Sequence, residues 1–160
     1  MRKAFKWLAI ILVIGFAAAQ FRRPVRTNPP FASMQTIETI VNVPPDVHAI
    51  LTRACADCHS NQTEWPWYSH LAPASWYVVG HVDHGRRFIN LSTWVRPGKE
   101  PRDSIDRLKA MCREVREGNM PLTSYKLIHW HSWLSADDVK RICDWSDAEQ
   151  KRLGAVVDGK

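Results

Sequence analysis

The first stretch of the chain is apolar without a period: Trp7 to Ala19 carries no charge, and Arg2, Lys3 and Lys6 stand before it. A basic end followed by such a run reads as an export signal. Counted from Ala4 to Phe21, the run nearly reaches the ~20 residues that span a bilayer, with Lys6 able to snorkel. The reading over residues 1–22 is an uncleaved anchor that holds its basic end in the cytoplasm, with a cleaved peptide ending at Ala17-Ala18-Ala19 as the alternative. Residues 23–43 then carry Pro24, Pro29 and Pro30 with little periodicity, and Pro44-Pro45 follow. Proline fixes φ and removes a donor, so this segment predicts an extended tether, with Ile37 to Val43 packing on the domain surface.

From residue 44 to 153 the pattern turns helical. Val47, Ile50, Leu51 and Ala54 recur at three-and-four spacing after Asp46, which predicts a helix capped by Asp46 and continuing to His59. Residues 61–75 mix prolines, small polar residues and aromatics and predict a buried loop. Trp76 to Ile89 predicts a short helix, Pro97 to Pro101 a break, and Asp103 or Ser104 the cap of a helix buried through Ile105, Leu108, Met111, Cys112 and Val115 and closed by Gly118. Ser135, answered by Asp138, starts the last helix, with Leu134 stapled on Val139 and Val139, Ile142, Cys143 and Ser146 turned inward. That helix is expected to end near Leu153-Gly154. No segment predicts a strand, so the fold class is all-α.

Chemistry enters at Cys55-Ala56-Asp57-Cys58-His59. Two thiols two residues apart, followed by a histidine, match the attachment site of c-type haem. On a helix both sulfurs lie on one face, within reach of the two vinyl groups of one macrocycle, with His59 beneath the iron. A zinc site would want a second closely spaced ligand pair, whereas Cys112 and Cys143 are far downstream and far apart. A thioredoxin-like pair would need a βαβ context, which the pattern lacks. A ligating histidine gives its other ring N–H to a carbonyl, and Pro73, ahead of Pro66, is the expected acceptor. Met120, held by Pro121 in a loop after a helix, is well placed to supply a thioether on the far side of the iron. His129, His131, His81 and His84 are the spare ligands. Cys112 and Cys143 lie on the apolar faces of two predicted helices, and in an oxidising compartment they form either a disulfide or two buried thiols.

Eight tryptophans in 160 residues suit the wall of a flat apolar cofactor or simply fill a core. The formal charge of +6 comes with no basic helix, zinc-finger spacing or RNP-like aromatics, so nucleic acid is not the expected partner. An acidic protein partner or an anionic membrane surface uses that charge better, and a plain solvated surface accounts for it more readily than either.

With these motifs in view, the sequence resembles the haem-binding domain family of small exported c-type cytochromes. The matching stretches are Cys55 to Asn61, Trp65-Pro66-Trp67-Tyr68-Ser69, Ala72 to Trp76, Gly85-Arg86-Arg87 with Asn90 and Trp94, and Met120-Pro121-Leu122 with Tyr125. The resemblance implies a small cytochrome c-like helical domain, its first and last helices packed against each other around one covalent haem. It implies Cys55 and Cys58 as attachment thiols, His59 as proximal ligand and Met120 as distal ligand. Cys112 and Cys143 lie outside the family's pattern. The resemblance implies that haem is held, and the leading reading of function is electron transfer on the periplasmic side of the bacterial inner membrane, with redox proteins as partners. The alternative is a haem-based enzyme or sensor that binds peroxide or a gas.

Overall fold

The computed structural model describes residues 2–159, and among them every regular element is helical. Helix α1 (Arg2–Ala19) stands outside the domain with no buried residue, and it is long and apolar enough to cross a membrane. The rest is built on α2 (Pro45–Ala54), α3 (Ala56–His59), α4 (Ala74–Phe88), α5 (Arg102–Arg116), α6 (Thr123–Ile128) and α7 (Ala136–Asp158).

Helices α5 and α7 form the main pair. Ser146 Oγ donates to the Leu108 carbonyl at 2.8 Å, and Cys112 is disulfide-bonded to Cys143, so positions descend along one helix as they climb along the other and the pair is antiparallel. The bond settles which of the two expected thiol states this fold adopts. Helix α2 crosses α7, tied by Arg141 to Asp46 at 3.0 Å and by Arg53 to Asp138 at 2.7 Å, as the first-and-last-helix expectation requires. Val47, Leu51, Trp94, Leu108, Trp145 and Leu153 fill one apolar cluster, and Ile50, Val115 and Ile142 surround the disulfide in a second. Each fully buried aliphatic side chain contributes about 1.5–3 kcal/mol.

Several expected boundaries move. Asp46 does not cap α2: Pro44 holds the N-cap position and Pro45 the first turn, where a missing N–H costs nothing, and the Asp46 carboxylate turns to Arg141. Neither Asp103 nor Ser104 caps α5, which starts behind Pro101. Both serve a buried guanidinium instead. Arg107 lies 4.0 Å over the Trp94 ring and pairs with Glu100 at 2.7 Å and Asp103 at 2.8 Å, while Ser104 accepts from the Trp94 indole at 2.8 Å and donates to Glu100. The helix expected from Val47 through His59 breaks at Cys55 (φ −125°, ψ −36°), leaving α3 as a separate turn. Helix α7 runs past Gly154 to Asp158, since one glycine is only a weak helix breaker.

The segment before α2 is fastened to the domain. Ile37 and Val41 are core residues rather than surface ones, and the Asn42 carbonyl accepts from the Trp145 indole at 2.7 Å. Arg23, Arg26 and Asn28 donate to the carbonyls of His70, Ser69 and Thr63.

Candidate haem site

Cys55, Cys58 and His59 come together because α2 ends at Ala54 and one further turn continues the chain, with the His59 N–H bonded to the Cys55 carbonyl at 2.9 Å. Both cysteines are free thiols. Burial pushes Cys55 up to about 12, with the nearby Cys58 adding to the rise, and burial together with Asp57 pushes Cys58 up to about 11. Such thiols stay protonated, which does not suit a reactive redox pair. Among the described residues no three His, Cys, Asp or Glu side chains gather as a metal cluster.

Helix α4 lies directly on α3, and Gly85 is the reason. A Cβ there would stand 2.6 Å from the Cys58 carbonyl oxygen and 3.3 Å from the His59 ring, so only glycine permits this approach. Helix α4 ends at Phe88, which leaves the next carbonyl without a helical partner. That carbonyl, of Ile89, accepts a hydrogen bond from His59 Nδ1 at 3.0 Å. The expected acceptors are occupied: Pro66 takes the Ser69 N–H and hydroxyl, and Pro73 takes the Trp76 N–H. With Nδ1 as donor, Nε2 keeps its lone pair, the form a metal ligand needs. Burial also lowers the His59 pKa and favours the neutral ring.

The loop after His59 is held from two sides. Asn61 N–H donates to Ser92 Oγ at 3.0 Å, and Asn90 donates to the Asn61 side chain at 2.9 Å. Arg86, one residue past the close contact, donates to the Ser60 carbonyl at 2.7 Å and to Thr63 Oγ1 at 2.8 Å.

Beside Cys58 lies a cavity of about 300 Å³, at the lower end of the usual range for ligand sites. Val78 and Val82 of α4, Leu122, Tyr125 and Ile128 form its apolar wall. Tyr125 donates to Asp57 Oδ2 at 2.6 Å and stacks on His129 with ring centroids 4.2 Å apart, while Tyr68 Oη and His129 Nε2 are 2.8 Å apart. An apolar slot lined by the protonated Cys58 thiol, next in sequence to a preset imidazole, fits a flat apolar group attached through sulfur.

Of the candidate distal ligands, His129 and His81 line the cavity. Met120 is half-buried against the Cys112–Cys143 cluster, two residues before the cavity-lining Leu122. His131 lies edge-on to His129, and His84 stacks on Phe88 on the exposed side of α4. Sequence reasoning gave no role to Asp57, which occupies a spacer position in the motif yet anchors Tyr125. Nor did it give one to Gly85, although a glycine beside two arginines within a helix was a visible signal.

Comparison with curated proteins finds no match, and comparison with solved structures finds none. The model of the haem-binding domain matches residues 14–148, which takes in both cysteines, His59, the cavity and the helices around it, and the chain belongs to that family.

Proposed function

We propose that this chain is a membrane-anchored mono-haem c-type cytochrome that carries electrons on the periplasmic face of the inner membrane. The observation that supports it best is the placing of Cys55, Cys58 and His59 on one turn, with Cys58 lining an apolar cavity and His59 Nδ1 committed to the Ile89 carbonyl. Haem bound there supplies a one-electron couple at iron. Cys55 and Cys58 would hold it, each through one thioether bond. His59 would hold it through Nε2, its ring fixed by Ile89, and Met120, which packs on the disulfide cluster, would supply a thioether from the loop that also carries Leu122. Val78, Val82 and Tyr125 keep water from the site. Helix α1 is the anchor, and the positive surface meets acidic redox partners, a quinol-side donor and a higher-potential acceptor.

The test is mass spectrometry of the purified, acid-extracted chain with its alkaline pyridine spectrum. One haem retained on the chain, and lost in the Cys55→Ala, Cys58→Ala double variant, is the expected result. Haem that extracts freely overturns covalent attachment.

A second reading, a haem enzyme or sensor for a small molecule, draws on the hydrogen-bonded Tyr68–His129 and Tyr125–Asp57 pairs in the same cavity. Ready binding of cyanide or carbon monoxide by the wild-type protein favours it over the carrier.

A further inference from the structure

The residues that follow α1 do not let the domain hang free. Gln20 makes a two-way amide contact with Ala72, donating through Nε2 to its carbonyl and accepting its N–H through Oε1, both at 3.1 Å. Arg23 donates to the His70 carbonyl at 2.7 Å, Arg26 to the Ser69 carbonyl at 2.9 Å, and the Trp76 indole N–H to the Arg22 carbonyl at 2.7 Å. Two of the three arginines past α1 are thus spent on the backbone of the 67–73 turn. The clamp begins one residue beyond the last residue of α1, so the turn is held at the mouth of that helix.

The clamped surface is apolar. Phe21 is 90% exposed, Val25 78%, Trp67 75%, Trp76 45% and Leu71 41%. Phe21 and Val25 stand on the segment that clasps the turn, Trp67 and Leu71 on the turn itself, and Trp76 is bonded to Arg22, so all five exposed side chains are gathered by the clamp that begins where α1 ends. Tryptophan with a satisfied N–H and an exposed ring belongs at a bilayer's headgroup level, and arginine close by faces anionic lipid. A protein partner would have to reach this patch past the lipid that α1 enters.

We propose that Phe21, Val25, Trp67, Leu71 and Trp76 seat the domain in the interface of the bilayer that α1 spans, held there by the Gln20–Ala72 and Arg23–His70 clamp. The inference rests on the reading of α1 as an uncleaved anchor. It also fixes which side of the domain approaches lipid: Ala74 and Tyr77, flanking Trp76 on α4, line the cavity, so one wall of the site lies within a helical turn of the membrane.

The experiment uses the full haem-loaded chain with 5-fluorotryptophan, in nanodiscs of phosphatidylethanolamine and phosphatidylglycerol with and without spin-labelled lipid. The difference between the two samples removes the contribution of iron. Single Trp→Phe variants assign the resonances, and buried Trp94 and Trp145 serve as internal standards. The expected result is several-fold greater broadening of Trp7, Trp67 and Trp76 than of the standards. Broadening of Trp7 without Trp67 and Trp76 keeps the anchor and overturns the seating, leaving the patch to a protein partner. A Trp7 resonance that is absent or unbroadened removes the anchor and the seating together. In the Gln20→Ala, Arg23→Ala double variant, Trp67 and Trp76 should lose most of their broadening while Trp7 keeps its own. Unchanged broadening there overturns the clamp.

Discussion

Gly85 and Cys58 are in backbone contact: any side chain at Gly85 would start 2.6 Å from the Cys58 carbonyl oxygen. The contact sets the distance between the helix that carries Cys58 and His59 and the helix that brings Ile89 to His59. Gly85→Ala should therefore push α4 away from α3 and lengthen the His59–Ile89 bond. Overpacking of this kind costs about 1–3 kcal/mol. Gly80 lies on the same helix with nothing within 4 Å of its added Cβ, so Gly80→Ala should be neutral or stabilise by roughly 0.5–1 kcal/mol. Urea unfolding of the two variants checks the pair, and equal effects from both would remove the close contact as a design feature.

Covalent closure between Cys112 and Cys143 is the second test. The bond closes a loop with a sequence separation of 31, and a loop of that size restricts the unfolded chain by about 3–4 kcal/mol. Cys112→Ser with Cys143→Ser should lower stability by roughly that amount and, on the proposed function, leave the haem bound, since Cys55 and Cys58 lie on a separate part of the fold. The unfolded, unreduced wild-type protein should titrate no free thiol beyond any left at Cys55 and Cys58. Two further free thiols there would rule the bond out.

The helical segments were legible because their apolar residues repeat at three and four, and because Ser135 and Asp138 form a capping box with backbone partners at 2.8 and 3.0 Å. The motif was legible for a different reason: its spacing is local, so sequence carries it whole. What sequence did not show was long-range. The acceptor for His59 is Ile89, thirty residues away, and it becomes available only because α4 stops there and Gly85 lets it approach. No local signal marked Arg107, yet it is buried against Trp94, paired with Glu100 and Asp103, while Ser104, a candidate cap like Asp103, bridges Trp94 to Glu100. The bonds from Arg23 and Arg26 to the 69–70 turn were hidden for the same reason, since proline content predicts extension and is silent on what an extended segment lies against.

The capping box at Ser135 makes a pH-dependent prediction. Burial alone would raise the Asp138 carboxyl, but the Ser135 N–H, the Arg53 guanidinium and the Ser135 hydroxyl hold it below the ordinary carboxylate range. A carboxyl depressed in the folded state contributes stability that is full above its unfolded pKa and is lost as pH falls through the folded value. Ser135→Ala should cost about 1 kcal/mol near neutral pH. The gap between variant and wild type should begin to narrow as pH falls below ~4, the unfolded value, and close further as it falls through the depressed folded value. Urea titrations at the two pH values check it, and a gap that widens in acid would mean that Asp138 is not the group involved.

Met120 carries two roles that one substitution would confuse. Its side chain packs on the cluster around the disulfide, so Met120→Ala should cost about 1–2 kcal/mol of packing at a half-buried site, whether or not its sulfur reaches iron. Met120→Leu separates the two roles, because it keeps nearly the same volume and removes only the thioether. If Met120 is the distal ligand, Met120→Leu should retain wild-type stability and covalent haem, lose the near-infrared sulfur-to-iron band, bind carbon monoxide readily and fall in reduction potential, since the thioether favours ferrous iron. His129 is the contrasting case. It lines the cavity, hydrogen-bonded to Tyr68 and stacked on Tyr125, and burial lowers its pKa so that the neutral, ligating form is favoured. Should Met120→Leu leave spectrum and potential unchanged while His129→Ala alters both, the distal ligand is His129. The Met-Pro loop would then be a packing device that holds Leu122 and Tyr125 against the cavity.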